Sequence, residues 1–473
     1  MNHRRSRLGV VTAVLGVLAA AWPLPARAAT AHPTVEEAPA GLHGFPFTLG
    51  CCYFDYGEAG YLLKEYFVSG TAKTYTDPST TAPYKTRILV AVPSDPAKFN
   101  GTVLAEWENV TAQVPAEPGM VWMHYYMLRK GYGYAAVVAQ KVGADNIKIW
   151  DPVRYETLSH PGDDYSYDIF SQAVDALKDP IGLSPMGDVT VERVIGYGQS
   201  QSAGRLNNYL VLAQNDAAVV DGMITQAGGS NKSFPDLQIP YIQLDTEEAI
   251  DAVVPDAANP SDLYRLWEVV GTAHVGNEET QSPGSVTLPL ALTIGTQIPW
   301  ELDQQYWEHS HYGEEGPGLG VTCVGGVEMP VRYALDAALD ALDRNLIDGT
   351  SLPSPPRALF NPDGSIMKDE HGNAMGGLRL PPIEVPVATY NATTCSLFGN
   401  TMPFTPDKLF ALYPTNADYA AKMYAAIDDA LAARIMVPED ADELRRKVGR
   451  SLIPLYRPST QFGIEPGGCP GRC

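Results

Sequence analysis

Alternating strand-like and helix-like segments predict an α/β chain with a mostly parallel central sheet covered by helices on both faces, and a loop-rich and helical C-terminal extension. Two observations carry this. Short apolar runs alternate with amphipathic segments from Thr86 to Val270, and one strand-to-helix junction, Val194 to Leu210, has small residues flanking a serine in a tight turn.

The elements follow in order. Thr86 to Val92, Gly101 to Trp107 and Gly133 to Ala139 read as strands, and Val121 to Arg129 between the last two reads as a helix. Residues 165–178 place Ile169, Ala173, Ala176 and Leu177 on one helical side. Ile239 to Leu244 and Leu266 to Val270 are the next strands. Residues 330–346 put Val331, Leu335, Ala338, Leu339, Leu342 and Leu346 on one face, with Gly349 after the helix, and read as the last helix packing on the sheet. Residues 350–415 are proline-rich and loop-like, and residues 416–453 read as helical with Asn416 as the cap.

The junction reads Gly198-Gln199-Ser200-Gln201-Ser202. A serine held in a sharp strand-to-helix turn needs small residues two places either side, and Ser200 has Gly198 and Ser202 there. Ser202 is the rival, because Ser200 and Gly204 flank it in the same way. Such an elbow belongs to α/β-hydrolases, whose triad follows the chain order serine, acid, histidine. Downstream, one strand ends at Asp245-Thr246-Glu247-Glu248 and the next at Gly271-Thr272-Ala273-His274. A serine hydroxyl needs a histidine to take its proton and a carboxylate to orient that histidine. The expected triad is Ser200, His274 and Glu247, with Glu248, Asp245 and Asp251 as other candidate acids. The oxyanion donors are expected from the Gln201 N–H and from the loop after Trp107, at Asn109 and Val110.

Residues 1–28 read as a secretion signal: Arg4, Arg5 and Arg7, an apolar stretch from Leu8 to Ala21, then Ala26-Arg27-Ala28. The Arg4-Arg5 pair is also a weak twin-arginine match. No later stretch has the roughly 18 apolar residues that a membrane span needs, so a secreted or periplasmic, soluble protein is expected. Residues 29–45 read as a flexible lead-in, 46–349 as the catalytic domain and 350–473 as an extension packed on it. The aromatic-rich segment 281–328, with Trp300, Tyr306, Trp307 and Tyr312, is the candidate lid. A net charge of −22 argues against nucleic acid or an anionic membrane as partner.

Six cysteines in an exported chain permit disulfides, and Cys469 and Cys473 could pin the tail, but spacing fixes no pairing. His309-Ser310-His311 and Asp369-Glu370-His371-Gly372-Asn373 read as polar surface and a turn rather than metal sites. His160-Pro161-Gly162-Asp163 reads as a turn before a helix, and Asn109, Asn231 and Asn391 head glycosylation-type triplets beside a bacterial-type signal. Neither metal nor cofactor is expected.

Taken together, several segments resemble the secreted α/β-hydrolase domain-containing proteins, a family largely of unassigned substrate. They are Glu65 to Ala72, Glu106 to Thr111, Ser159 to Asp163 with Ser166 to Gln172, Ser200 to Leu206, Arg265 to Glu268 with Gly271 to His274, and Gly372 to Ala374 with Gly376-Gly377. The resemblance implies Ser200 as nucleophile and His274 as base, and places the acid at the Thr246-Glu247 pair; where the family often has an aspartate two residues on, this chain has Ala249. The expectation is an exported serine hydrolase acting on a small-molecule carboxylic ester. An amidase or peptidase with the same triad, or a binding protein on a hydrolase scaffold, are the alternatives.

Overall fold

A computed structural model describes residues 32–48, 55–229, 232–258, 260–276, 327–395 and 397–455. The signal at 1–28, the candidate lid up to residue 326, His309 and His311, Asn231 and every cysteine except Cys395 lie outside them.

Nine strands form one sheet: β1 (Thr34–Glu37), β2 (Tyr61–Lys73), β3 (Thr81–Pro93), β4 (Thr102–Trp107), β5 (Gly133–Val137), β6 (Arg193–Gln199), β7 (Gly222–Gln226), β8 (Tyr241–Thr246) and β9 (Tyr264–Val269). Their order is β1-β2-β3-β5-β4-β6-β7-β8-β9. The β1–β2, β2–β3 and β3–β5 pairs are antiparallel, and every pair from β5 to β9 is parallel. The parallel strands read as continuous apolar runs because both faces are covered.

Alternation along each strand divides the core in two. Leu104, Ile195, Ile224, Ile242 and Leu244 face one layer, built from α1 (Pro118–Lys130), α6 (Val331–Asp348), α7 (Asn416–Ala432) and α8 (Pro438–Arg450). Val103, Ala105, Val194 and Met223 face the other, built from α3 (Ser166–Lys178) and α4 (Gln201–Leu212). Two shorter helices, α2 (Lys141–Trp150) and α5 (Gln214–Ala217), complete this numbering. The stripe expected on residues 330–346 is the buried face of α6, which lies against β7 and β8; Leu335 and Leu339 are fully buried, each such side chain contributing about 1.5–3 kcal/mol. Gly349 ends that helix in the left-handed conformation, φ 76°.

Residues 416–453, expected to be helical, form two helices, α7 and α8, separated by Arg434 at φ 56° and restarted by Pro438. Two expectations are corrected. Residues 29–45 are not uniformly flexible: Thr34–Glu37 pair antiparallel with Tyr66 to Ser69 as the edge strand. The cap of α7 is Thr415, not Asn416: Thr415 and Asp418 satisfy each other's backbone N–H in a capping box. The extension also carries a small hairpin of β10 (Ala388–Asn391) and β11 (Asn400–Pro403). No helix among the described residues is long and apolar enough to cross a membrane.

Candidate active site

β6 runs parallel between β4 and β7, so its carboxyl end lies among the loops that leave its neighbours. There the chain reverses sharply. Ser200 has φ 59° and ψ −119°, a strained combination for a residue with a side chain. Its N–H is tied to the Gln226 carbonyl at 2.8 Å, and its carbonyl accepts from Gly204 N–H at 3.1 Å. The turn explains the small flank: a Cβ on Gly198 would come within 3.0 Å of the Ser202 backbone and 2.9 Å of Leu206. Close packing acts again at Gly228, where a Cβ would sit 2.6 Å from Ala203.

The two serines now separate. Ser202 is fully buried, and its Oγ accepts from Gln199 N–H at 3.0 Å and donates to Gln199 O at 2.8 Å. It locks the turn. Ser200 instead lines an open cleft of about 710 Å³ with Val110, Thr111, Gln113, Gln201 and Gly228.

β8 ends in a single helical turn, Glu247–Ala249, and this turn sends its two glutamates in different directions. Glu248 Oε1 lies 3.1 Å from His274 Nδ1 and accepts the Thr246 hydroxyl at 2.6 Å. Both partners of the pair are mostly buried, the side chains 12% and 11% exposed. Glu247, expected against the histidine, is not there. Its carboxylate accepts Gly271 N–H at 2.6 Å and pairs with Lys368 from the C-terminal extension, while its own N–H donates to Thr272 O at 2.9 Å. Glu247 therefore anchors the loop that carries His274. Asp245 is still within β8, accepting from Gln243 Nε2 at 2.7 Å, and burial pushes its carboxyl up to about 7.

Of the three expected oxyanion donors, one is excluded by its partners. Asn109 N–H donates to Ala116 O at 3.0 Å across a bridge that closes the loop after β4. Its side chain is also engaged, donating to Gln199 O at 2.9 Å. That buried side chain is equally unavailable for glycosylation. Val110 and Gln201 both line the cleft, and neither N–H enters a hydrogen bond among the described residues. The Gln201 N–H also opens α4, where the helix leaves its first amides unsatisfied and favours negative charge.

One feature escaped the sequence reading: Gln199 links the elbow to the loops after β4 and β9. His160 is no site residue but a brace: one ring nitrogen contacts Ala139 O at 2.9 Å, the other accepts Gly162 N–H at 3.2 Å, and burial lowers its pKa. The same turn supplies Asp163, which binds Gln140 at 3.2 Å and Arg205 at 2.8 Å beneath the cleft wall. Among the described residues no cluster of His, Cys, Asp or Glu is arranged to hold a metal.

The chain belongs to the alpha/beta hydrolase domain family, whose model matches residues 25–446. A comparison with curated proteins finds no match. Among solved structures it is similar to a serine hydrolase without lid from Xanthomonas campestris, at 12% identity over 44% of this chain and 85% of that one, TM-score 0.28. Glucuronoyl esterase from Solibacter usitatus is similar at 13% identity over 46% and 68%, TM-score 0.25. Oligopeptidase B from Trypanosoma brucei is similar at 15% identity over 36% of this chain and 20% of that one, TM-score 0.22.

Proposed function

We propose that this alpha/beta hydrolase is an exported serine esterase, cleaving a small-molecule carboxylic ester through Ser200, His274 and Glu248. The observation that carries the reading is the His274–Glu248 pair at 3.1 Å, on a loop hydrogen-bonded to Gln199, the residue before a serine strained at φ 59° on the cleft wall. Glu248 takes the role expected of Glu247 because it is the carboxylate on the ring.

The chemistry runs as acyl transfer. Ser200 Oγ attacks the ester carbonyl carbon while His274 Nε2 takes the hydroxyl proton, and Glu248 holds Nδ1–H so that Nε2 is the basic nitrogen. The carbonyl oxygen becomes an oxyanion held by the Val110 and Gln201 N–H groups, each such donor being worth about 3–4 kcal/mol in the transition state. Collapse expels the alcohol, which takes the proton from His274. Water then attacks the acyl-serine, with His274 again the base, and releases the acid.

Export rests on the signal-like residues 1–28 and would show as an N-terminus near residue 29 in protein recovered outside the cytoplasm. The test of the chemistry is labelling with a fluorophosphonate probe and hydrolysis of matched p-nitrophenyl ester and anilide substrates. Labelling lost in Ser200→Ala and kept in folded Ser202→Ala supports the reading. Loss only in Ser202→Ala moves the nucleophile, anilide preference moves the class to amidase, and a folded wild type that neither labels nor hydrolyses leaves a binding protein.

A further inference from the structure

Val110, Ser200 and His274 stand on loops after three different strands, β4, β6 and β9. β9 is three places from β6 in the sheet, so no shared ladder fixes His274 relative to the elbow. Gln199, the last residue of β6, spans the gap. Its main chain is held by the Ser202 hydroxyl at both N–H and carbonyl. Its side chain, buried with the residue 5% exposed, reaches both ways. Oε1 accepts from Asn109 Nδ2 at 3.4 Å, and Nε2 donates to the His274 carbonyl at 3.3 Å. Asn109 donates to the Gln199 carbonyl as well, at 2.9 Å, and its Oδ1 accepts Thr111 N–H at 2.8 Å, so it grips the residues on either side of Val110. Among the described residues, the Gln199–His274 bond is the direct hydrogen bond between elbow and histidine loop.

We propose that Gln199 is a positioning residue: the chain Asn109–Gln199–His274 sets the distance between oxyanion donor, nucleophile and base. This rests on the hydrolase reading above. A side-chain amide meets both ends, with an acceptor toward Asn109 and a donor toward His274. A glutamate sets a carboxylate oxygen against the His274 carbonyl, and a leucine leaves that carbonyl without its donor while Asn109 keeps only its bond to the Gln199 carbonyl. Proton transfer and oxyanion binding occur in one transition state, so a displacement of about 1 Å between the loops costs on the order of 100-fold in rate.

The test measures kcat and KM on a p-nitrophenyl ester, and fluorophosphonate labelling rate, for wild type, Gln199→Leu, Gln199→Glu, Asn109→Ala and the Gln199→Leu/Asn109→Ala double variant. Thermal unfolding identifies the folded variants. The expected result is a kcat lowered roughly 10- to 100-fold in both Gln199 variants, KM within about threefold, and slower labelling to match. Asn109→Ala should cost less in the Gln199→Leu background than in wild type, because the side-chain link is already cut and only the Asn109 bond to the Gln199 carbonyl remains to lose. If Gln199→Leu does not fold, Gln199→Glu, which keeps size and one partner, decides alone. Wild-type kcat in a folded variant, a loss confined to KM, or full additivity overturns the proposal. A wild type that neither labels nor hydrolyses fails the hydrolase reading, and Gln199 with it, before any variant is compared.

Discussion

Two clusters of buried carboxylates, one at the sheet rim where β8 ends and one at the joint between α6 and α8, handle charge in opposite ways. At the rim each acid has its own cationic partner: Glu247 pairs with Lys368, and Glu248 with His274, which is cationic when protonated. At the joint three acids, Asp336, Asp440 and Glu443, meet two cations, Arg332 and Lys447, all nearly without exposure. Arg129 acts on Asp440 as well, and burial still prevails. Burial, with Asp440 alongside, drives the Asp336 carboxyl well above its ordinary range. Asp440 rises to about 7, through burial and the charge of Glu443, against the pull of Arg332. At the joint, burial pushes the Asp336 and Asp440 carboxyls up, toward keeping a proton.

The largest effect should come from separating the two rim glutamates. Glu248→Gln is expected to lower kcat about 1,000- to 10,000-fold with little change in stability, by analogy with loss of the orienting acid in other triads. Glu247→Gln should do the reverse, leaving kcat within about tenfold but costing about 1.5–3 kcal/mol in urea unfolding through its charged hydrogen bonds. An exchange of those two outcomes returns the acid role to Glu247.

At the joint, Arg332→Met strands Asp440 and leaves Glu443 with Lys447 as its cation, and should cost about 3–5 kcal/mol of stability. A folding midpoint unchanged in denaturant would mean that packing, not charge, holds α8. Titration gives the next effect. A carboxyl whose folded pKa is raised stabilises the fold fully below its unfolded pKa, near 4. That contribution is lost as pH rises through the folded value, here about 7 for Asp440. Stability should therefore fall from about pH 4 to about pH 7, by up to about 1.4 kcal/mol per pH unit for one retained proton. Asp336→Asn should flatten that slope, and a slope that persists would place the proton elsewhere. The smallest effect is a neutral control in the same region: Thr415→Ala removes the cap of α7 and should cost about 1 kcal/mol at every pH.

What could be read in advance depended on whether the cause lay close by in the chain. The elbow was legible because its steric rule spans five residues, Gly198 to Ser202. The α6 stripe was legible because helical periodicity repeats a single contact. The split of 416–453 was missed because a continuous helical pattern hides a break that depends on the Arg434 backbone. β2 was noticed only as a resemblance, although Tyr66-Phe67-Val68 is aromatic and β-branched enough to have marked a strand. β1 carries little strand signal of its own and exists because β2 offers it an edge.

The sequence by itself therefore determined the class of fold, the tight serine turn after β6, and the order in which serine, acid and histidine candidates leave the strands. Tertiary structure alone decided which glutamate meets His274, since one turn after β8 rotates adjacent side chains apart and Lys368 arrives from more than a hundred residues away to claim the other. It likewise withdrew Asn109 N–H from the oxyanion role by pairing it with Ala116, and set Gln199 between two loops. A local pattern names the groups that could react. Their partners are fixed by directions and distances that exist only once the sheet brings separate strand ends together.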